Sequence, residues 1–153
     1  MATILVVDDN VLVRNVLNKI LKLNKHNVVE ASDGQDALEI INPNVLPDLI
    51  FMDHQMPRLS GIDCARHLKT LYPSLKIVLI SGSFGIDDDG YLAANKYLFT
   101  AIILKPFQIK DVISTVEYAL GGKTQERMKY FECSNTAQSK QCPKIVPILR
   151  MCP

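Results

Sequence analysis

Leu49-Ile50-Phe51-Met52-Asp53-His54-Gln55-Met56-Pro57 is the stretch on which the reading of this chain turns. Four apolar residues run without a break into one aspartate, and Met56-Pro57 bends the chain soon afterwards. An apolar run of this length between turn signals reads as a strand buried on both faces, as in parallel sheets. A carboxylate directly after such a strand stands at the carboxyl edge of the sheet, where open α/β folds bind ligands. Taken alone, Asp53 has two readings, a group in a site or a cap for the next segment. The choice depends on what the other strands deliver to the same edge.

Before this stretch, Thr3-Ile4-Leu5-Val6-Val7 is a β-branched strand that ends in Asp8-Asp9-Asn10. Val13, Val16, Leu17, Ile20 and Leu21 follow at spacings of three and four, which predicts an amphipathic helix. Val28 to Ala31 is a second strand, Ser32-Asp33-Gly34 a turn, and Gln35 to Asn42 a helix stopped by Pro43. After it, Ser60 suits an N-cap with Asp63 as its capping-box partner. The helix beyond carries Ile62, Ala65, Leu68 and Leu71 inward and ends at Pro73. Lys76 to Ile80 is the fourth strand, with Ser81-Gly82-Ser83 as its exit. Asp87-Asp88-Asp89 suits the start of a fourth helix, where negative charge is favoured. Ala101 to Leu104 is the fifth strand, followed by Lys105-Pro106. Ile109, Val112, Ile113, Val116 and Leu120 line a last helix closed by Gly121-Gly122.

Five strands alternating with five helices predict parallel strands joined by right-handed crossovers. The fold class is α/β, a doubly wound five-stranded parallel sheet over residues 1–122. Residues 123–153 show no sustained period and hold three of the four cysteines (Cys133, Cys142 and Cys152, against Cys64 in the domain). They read as a flexible or loosely docked extension without an output domain.

The size suits one domain, and 48% apolar residues suffice for a core. Net charge is +1, which gives no general attraction to nucleic acid or membrane, and no direct nucleic-acid binding is expected. From residue 121 onward, six Lys/Arg stand against two Asp/Glu, so the tail carries +4 and the first 120 residues −3. Met1-Ala2-Thr3 leads straight into a strand, so neither an export signal nor a membrane span is expected. The cysteines match no C-x-x-C pattern and read as free thiols in a reducing cytoplasm.

Strand ends bring Asp8 and Asp9, Asp53, Ser81 and Lys105 to one edge, within a few strand spacings of ~4.8 Å. Three carboxylates that close repel unless they share a cation. Oxygen donors suit Mg2+, lysine adds a compact positive charge, and a hydroxyl can bond an anion. Such a set describes a pocket for a phosphoryl group with an aspartate nucleophile.

Five motifs carry a resemblance to the receiver domains of two-component response regulators over about residues 1–120. They are Ile4-Leu5-Val6-Val7-Asp8-Asp9-Asn10, Phe51 to Pro57, Ser60-Gly61, Ile80-Ser81-Gly82 and Leu104-Lys105-Pro106-Phe107. The resemblance implies a flavodoxin-like strand order, 2-1-3-4-5. It implies that Asp53 takes a phosphoryl group from a sensor histidine kinase or a histidine phosphotransfer protein, and that signalling then proceeds through an unknown downstream protein. Asp9 would ligate Mg2+ directly, Asp8 through water, and Gln55 through its backbone carbonyl, with Asp53 completing the set. Ser81 would bond one phosphoryl oxygen and swing inward on activation, and Lys105 would pair with another. Pro106 would follow a cis peptide. Gln55 and Ser83 would tune the lifetime of the phosphoryl group.

The sequence departs from that family at Ile102, where a Tyr or Phe switch is common. Tyr97-Leu98-Phe99 replaces the usual glycine near the end of the fourth helix, so that helix is expected to be altered. Two other readings compete. A phosphorylation-independent interaction module would more naturally lack one of Asp9, Asp53 or Lys105, and all are present. Phosphatases of the haloacid dehalogenase type want Asp-x-Asp, which Asp53-His54-Gln55 does not supply. His54 is expected to point away from the pocket, and His26 and His67 to lie on the surface.

Overall fold

In the computed structural model, residues 1–82, 94–121 and 145–147 are described. Strands β1 (Thr3–Val7), β2 (Asn27–Ala31), β3 (Leu49–Asp53), β4 (Ile77–Ser81) and β5 (Ala101–Leu104) are parallel to their neighbours and stand in the order β2-β1-β3-β4-β5. This is the expected doubly wound order. One strand exceeds the expectation: β6 (Ile145–Pro147) pairs antiparallel with β5 and makes the sheet six-stranded. It belongs to the extension whose sequence predicts a flexible or loosely docked segment. Three residues without a period of their own give no strand signal, and pairing comes from the open β5 edge.

The α-helices among the described residues are α1 (Val11–Leu23), α2 (Gly34–Ile40), α3 (Gly61–Leu71) and α4 (Ile109–Ala119). The helix expected from Asp87 lies mainly outside the described residues. Where description resumes, Lys96–Leu98 forms a short 3-10 turn. It buries Leu98 and the adjoining Phe99 and leaves Tyr97 exposed. Helix α2 starts at Gly34 because Asp33 caps it, and stops before Asn42, which pairs with Val45 ahead of the proline bend. Ser60 caps α3 as expected: its Oγ accepts from Asp63 N at 3.2 Å and donates to Asp63 Oδ2 at 2.7 Å.

Successive residues of each strand enter opposite cores. Leu5, Val7, Ile50, Met52, Ile77 and Leu79 face α2 and α3. Ile4, Val6, Leu49, Phe51, Val78 and Ile80 face α1 and α4. Phe51 is fully buried, and burying such a side chain contributes about 1.5–3 kcal/mol. The apolar stripes of the helices are wider than the part of them that is buried. Val16, Leu71 and Ile109, all expected to point inward, are 49%, 60% and 62% exposed. No helix among the described residues is long and apolar enough to cross a membrane.

Candidate functional site

Loop geometry at the carboxyl edge separates capping from chemistry. Asn10, not Asp8 or Asp9, caps α1, its Oδ1 accepting from Leu12 N at 2.9 Å. The Asp8 carboxylate turns under the loop, with Oδ1 accepting from Asn10 N at 2.8 Å. Asp8 is wholly buried, whereas Asp9 is exposed. Asp53 is 5% exposed, and its Oδ2 accepts from Gln55 N at 3.0 Å.

Lys105 brings the two buried carboxylates together. Its Nζ donates to Asp53 Oδ1 at 2.5 Å and to Asp8 Oδ2 at 3.2 Å. Its backbone N–H donates to the Ser81 carbonyl at 2.8 Å, and the Lys105-Pro106 peptide is cis, as the resemblance implied. Burial raises the Asp8 pKa, and the charge of Asp53 adds to this, against the opposing pull of Asn10 N–H and Lys105. For Lys105, burial favours the neutral amine. The bond to Asp53 and the two carboxylate charges outweigh it, and the ammonium pKa rises. The result is two buried anions held on one shared cation.

Among the described residues, no three His, Cys, Asp or Glu side chains gather closely enough to form a metal cage. Two converging carboxylates, an exposed third and a loop carbonyl are nonetheless the donors that suit Mg2+. That ion is held by one or two carboxylates with waters and substrate phosphate oxygens, not by a protein-only cage. The donor set therefore fits the ion.

Gly61 lies against Asp53 itself. Its N–H donates to the His54 carbonyl at 3.0 Å, and a Cβ there would stand 2.0 Å from the Asp53 carbonyl oxygen. Only a residue without a side chain lets α3 start this close to β3. Ser81 is fully buried. Its Oγ lies 3.3 Å from Nδ1 of His54, which is half-buried. His54 thus lies against Ser81, on the face away from the Asp53 carboxylate. Asp53 pairs in register with Ile80, so the next residues along the two strands share the opposite face. Parity along β3 and β4 was the signal that would have found this contact. His67 is exposed as expected, but His26 is half-buried, with its Nδ1 unbonded among the described residues. Gln55 is exposed at the rim, and Ser83 lies outside the described residues.

Two arginines support the site and carried no sequence signal beyond their charge. Arg14 Nη1 donates to the carbonyls of Asp8 at 2.7 Å and Asp9 at 3.3 Å, and its Nε lies 3.5 Å from Glu30 Oε2. Arg58 adopts φ 64°, unusual for a side chain with a Cβ. Its guanidinium grips Asp33, with Nε at 2.7 Å from Oδ2 and Nη2 on the same oxygen. That pair ties the loop after Asp53 to the turn before α2. The Asp36 N–H, and after it Arg58, holds the Asp33 carboxyl below its ordinary 3.8. A lowered carboxylate pKa stabilises the fold above the unfolded value and loses that effect as pH falls through the folded one. Asp33→Asn is therefore expected to lower the thermal midpoint at pH 7, with the gap to the parent closing progressively below pH 3.8. A gap that stays constant with pH would assign the effect to shape, not charge.

This strand order, with acidic residues after β1, an aspartate ending β3 and a lysine before a cis proline after β5, coincides with a family match. Residues 4–117 fit the response regulator receiver domain. The chain belongs to that family. Among relatives of this receiver, the protein-glutamate methylesterase/protein-glutamine glutaminase of Trichodesmium erythraeum is 34% identical over 122 residues, 75% of this chain and 33% of the relative. Transcriptional regulatory protein PdtaR of Mycobacterium tuberculosis is 33% identical over 120 residues, 76% of this chain and 56% of PdtaR. The receiver thus spans a third to just over half the length of these relatives. Among solved structures, the response regulator TrrA of Thermotoga maritima, in complex with Mg2+ and BeF, superposes with a TM-score of 0.69 at 25% identity. The match covers 78% of this chain and all of TrrA.

Proposed function

We propose that Asp53 is the phosphoacceptor of this receiver and that Mg2+ assists the transfer. The observation that carries the reading is the Lys105 ammonium shared by two buried carboxylates at the carboxyl edge. An Asp53 oxygen attacks the phosphorus of a phosphohistidine on a sensor kinase or phosphotransfer protein. The P–N bond breaks, and its electron pair stays with the leaving imidazole. Mg2+, when bound, would neutralise charge on the phosphoryl oxygens, and the complex of TrrA with Mg2+ and BeF supports binding of the ion here. Asp8, Asp9, Asp53 and the Gln55 carbonyl are the residues that would hold it. Lys105 pairs with one phosphoryl oxygen and the Ser81 hydroxyl with another. Hydrolysis reverses the state: water attacks the phosphorus, the bond to the Asp53 oxygen breaks, and inorganic phosphate leaves. Gln55 stands at the rim where it can orient that water. The same reading places the protein in the cytoplasm, signalling through a downstream protein that distinguishes the two states.

Acetyl phosphate with Mg2+ tests this without a cognate kinase. The intact mass is expected to rise by one phosphoryl group, to return to its starting value in alkali as an acyl phosphate does, and to stay unchanged when a chelator removes the metal. A label that resists alkali, or that forms equally in the chelator, would overturn the reading.

A further inference from the structure

We propose that His54 is a positioning residue that holds the Ser81 hydroxyl away from the phosphoacceptor in the resting state. The inference rests on the phosphoacceptor reading of Asp53 and adds a restraint that sets how readily the fold responds.

The sheet register dictates the placement. Asp53 lies opposite Ile80, and Ile80 packs in the core under α1 and α4. The next residue on each strand, His54 on one and Ser81 on the other, faces the α2 and α3 side. The imidazole and the hydroxyl therefore meet at 3.3 Å on the face that Asp53 does not use. Either nitrogen tautomer permits the bond: the hydroxyl donates to a bare Nδ1, or a protonated Nδ1 donates to the oxygen. The backbone at Ser81 is pinned by Lys105 N–H on its carbonyl at 2.8 Å. Bringing the hydroxyl to a phosphoryl group on Asp53 is thus a side-chain rotation against a fixed main chain. Such a rotation gives up the His54 contact.

The neighbouring position gives this contact its weight. Ile102 is 1% exposed and packs in the core that includes Leu79, Leu98 and Phe99. It pairs in register with Leu79 and occupies the inside already, so it offers no aromatic ring to swing. Among the described residues, the His54–Ser81 pair is then an arrangement at this end of β4 that a phosphoryl group would rearrange.

Calorimetric titration of the full chain with beryllofluoride and Mg2+ tests the proposal in a double-mutant cycle. His54→Phe keeps a ring and removes the hydrogen bond. Relative to the parent, it is expected to bind beryllofluoride about fivefold tighter, the scale of one net hydrogen bond. In a Ser81→Ala background the same change is expected to have no effect. Equal effects in both backgrounds, or no gain in either, would overturn the proposal. A second measurement does not depend on Asp53. The χ1 couplings of Ser81, read by NMR without any phosphoryl mimic, are expected to report a narrower rotamer distribution in the parent than in His54→Phe. The same distribution in both proteins would overturn the restraint even if Asp53 is the acceptor. If beryllofluoride fails to bind the parent, the phosphoacceptor reading fails, and the rotamer comparison still decides the role of His54.

Discussion

Asp53→Asn is expected to abolish incorporation of an alkali-labile phosphoryl group from acetyl phosphate and Mg2+, while the protein stays folded by circular dichroism. The substitution changes little in shape. It replaces an anionic oxygen with a neutral amide oxygen, a poor nucleophile that supplies no charge to a metal. Asp8 remains to partner Lys105 at 3.2 Å, so the ammonium is not left unpaired in its partly buried position. The expected defect therefore lies in chemistry, not folding, and it is complete. A residual label at the parent's rate would place the nucleophile elsewhere. Asp8 would then be the next carboxylate to consider, since it contacts the same lysine.

Gly61→Ala is expected to be the most damaging single-methyl change near the site. The added Cβ would sit 2.0 Å from the Asp53 carbonyl oxygen and 3.1 Å from Met52 Cγ. The oxygen is backbone, so it cannot rotate away as a side chain would. Relief requires moving the first turn of α3 or the end of β3. A loss of about 3 kcal/mol is expected. For a domain of this size, that is a fall of about 10 °C in thermal midpoint. Because the shifted strand carries Asp53, phosphorylation by acetyl phosphate is expected to fall in the residual folded protein as well. A midpoint within about 2 °C of the parent would mean that the helix start yields more easily than its packing indicates.

What could be read from residues alone follows a physical division. β1, β3, β4 and β5 were legible because each carries an apolar run, and such runs arise where both faces are covered, whereas the edge strand β2 is shorter in apolar residues and interrupted by Glu30. Asp53, Lys105 and Ser81 were legible because strand order and direction alone bring them to one edge. The His54–Ser81 contact was missed for want of a register, although Asp53 opposite Ile80 settles it. Arg58 was missed because its role depends on a left-handed backbone and on Asp33, 25 residues away. Val16, Leu71 and Ile109 mark the reverse error. Periodicity reports which side of a helix is apolar, not how much of that side is buried.

The antiparallel β6 has a consequence for how copies of the chain can associate. Left bare, β5 would offer a parallel edge to any extended segment, and β2 at the far side would offer another, so copies could stack edge to edge indefinitely. With Ile145–Pro147 in place, that end of the sheet finishes in three residues, the last a proline with no N–H to donate. Propagation needs two receptive ends, and among the described strands β6 makes the β5 side the poorer of the two. Among the described residues, edge-to-edge pairing of copies is thereby disfavoured on the β5 side of the sheet.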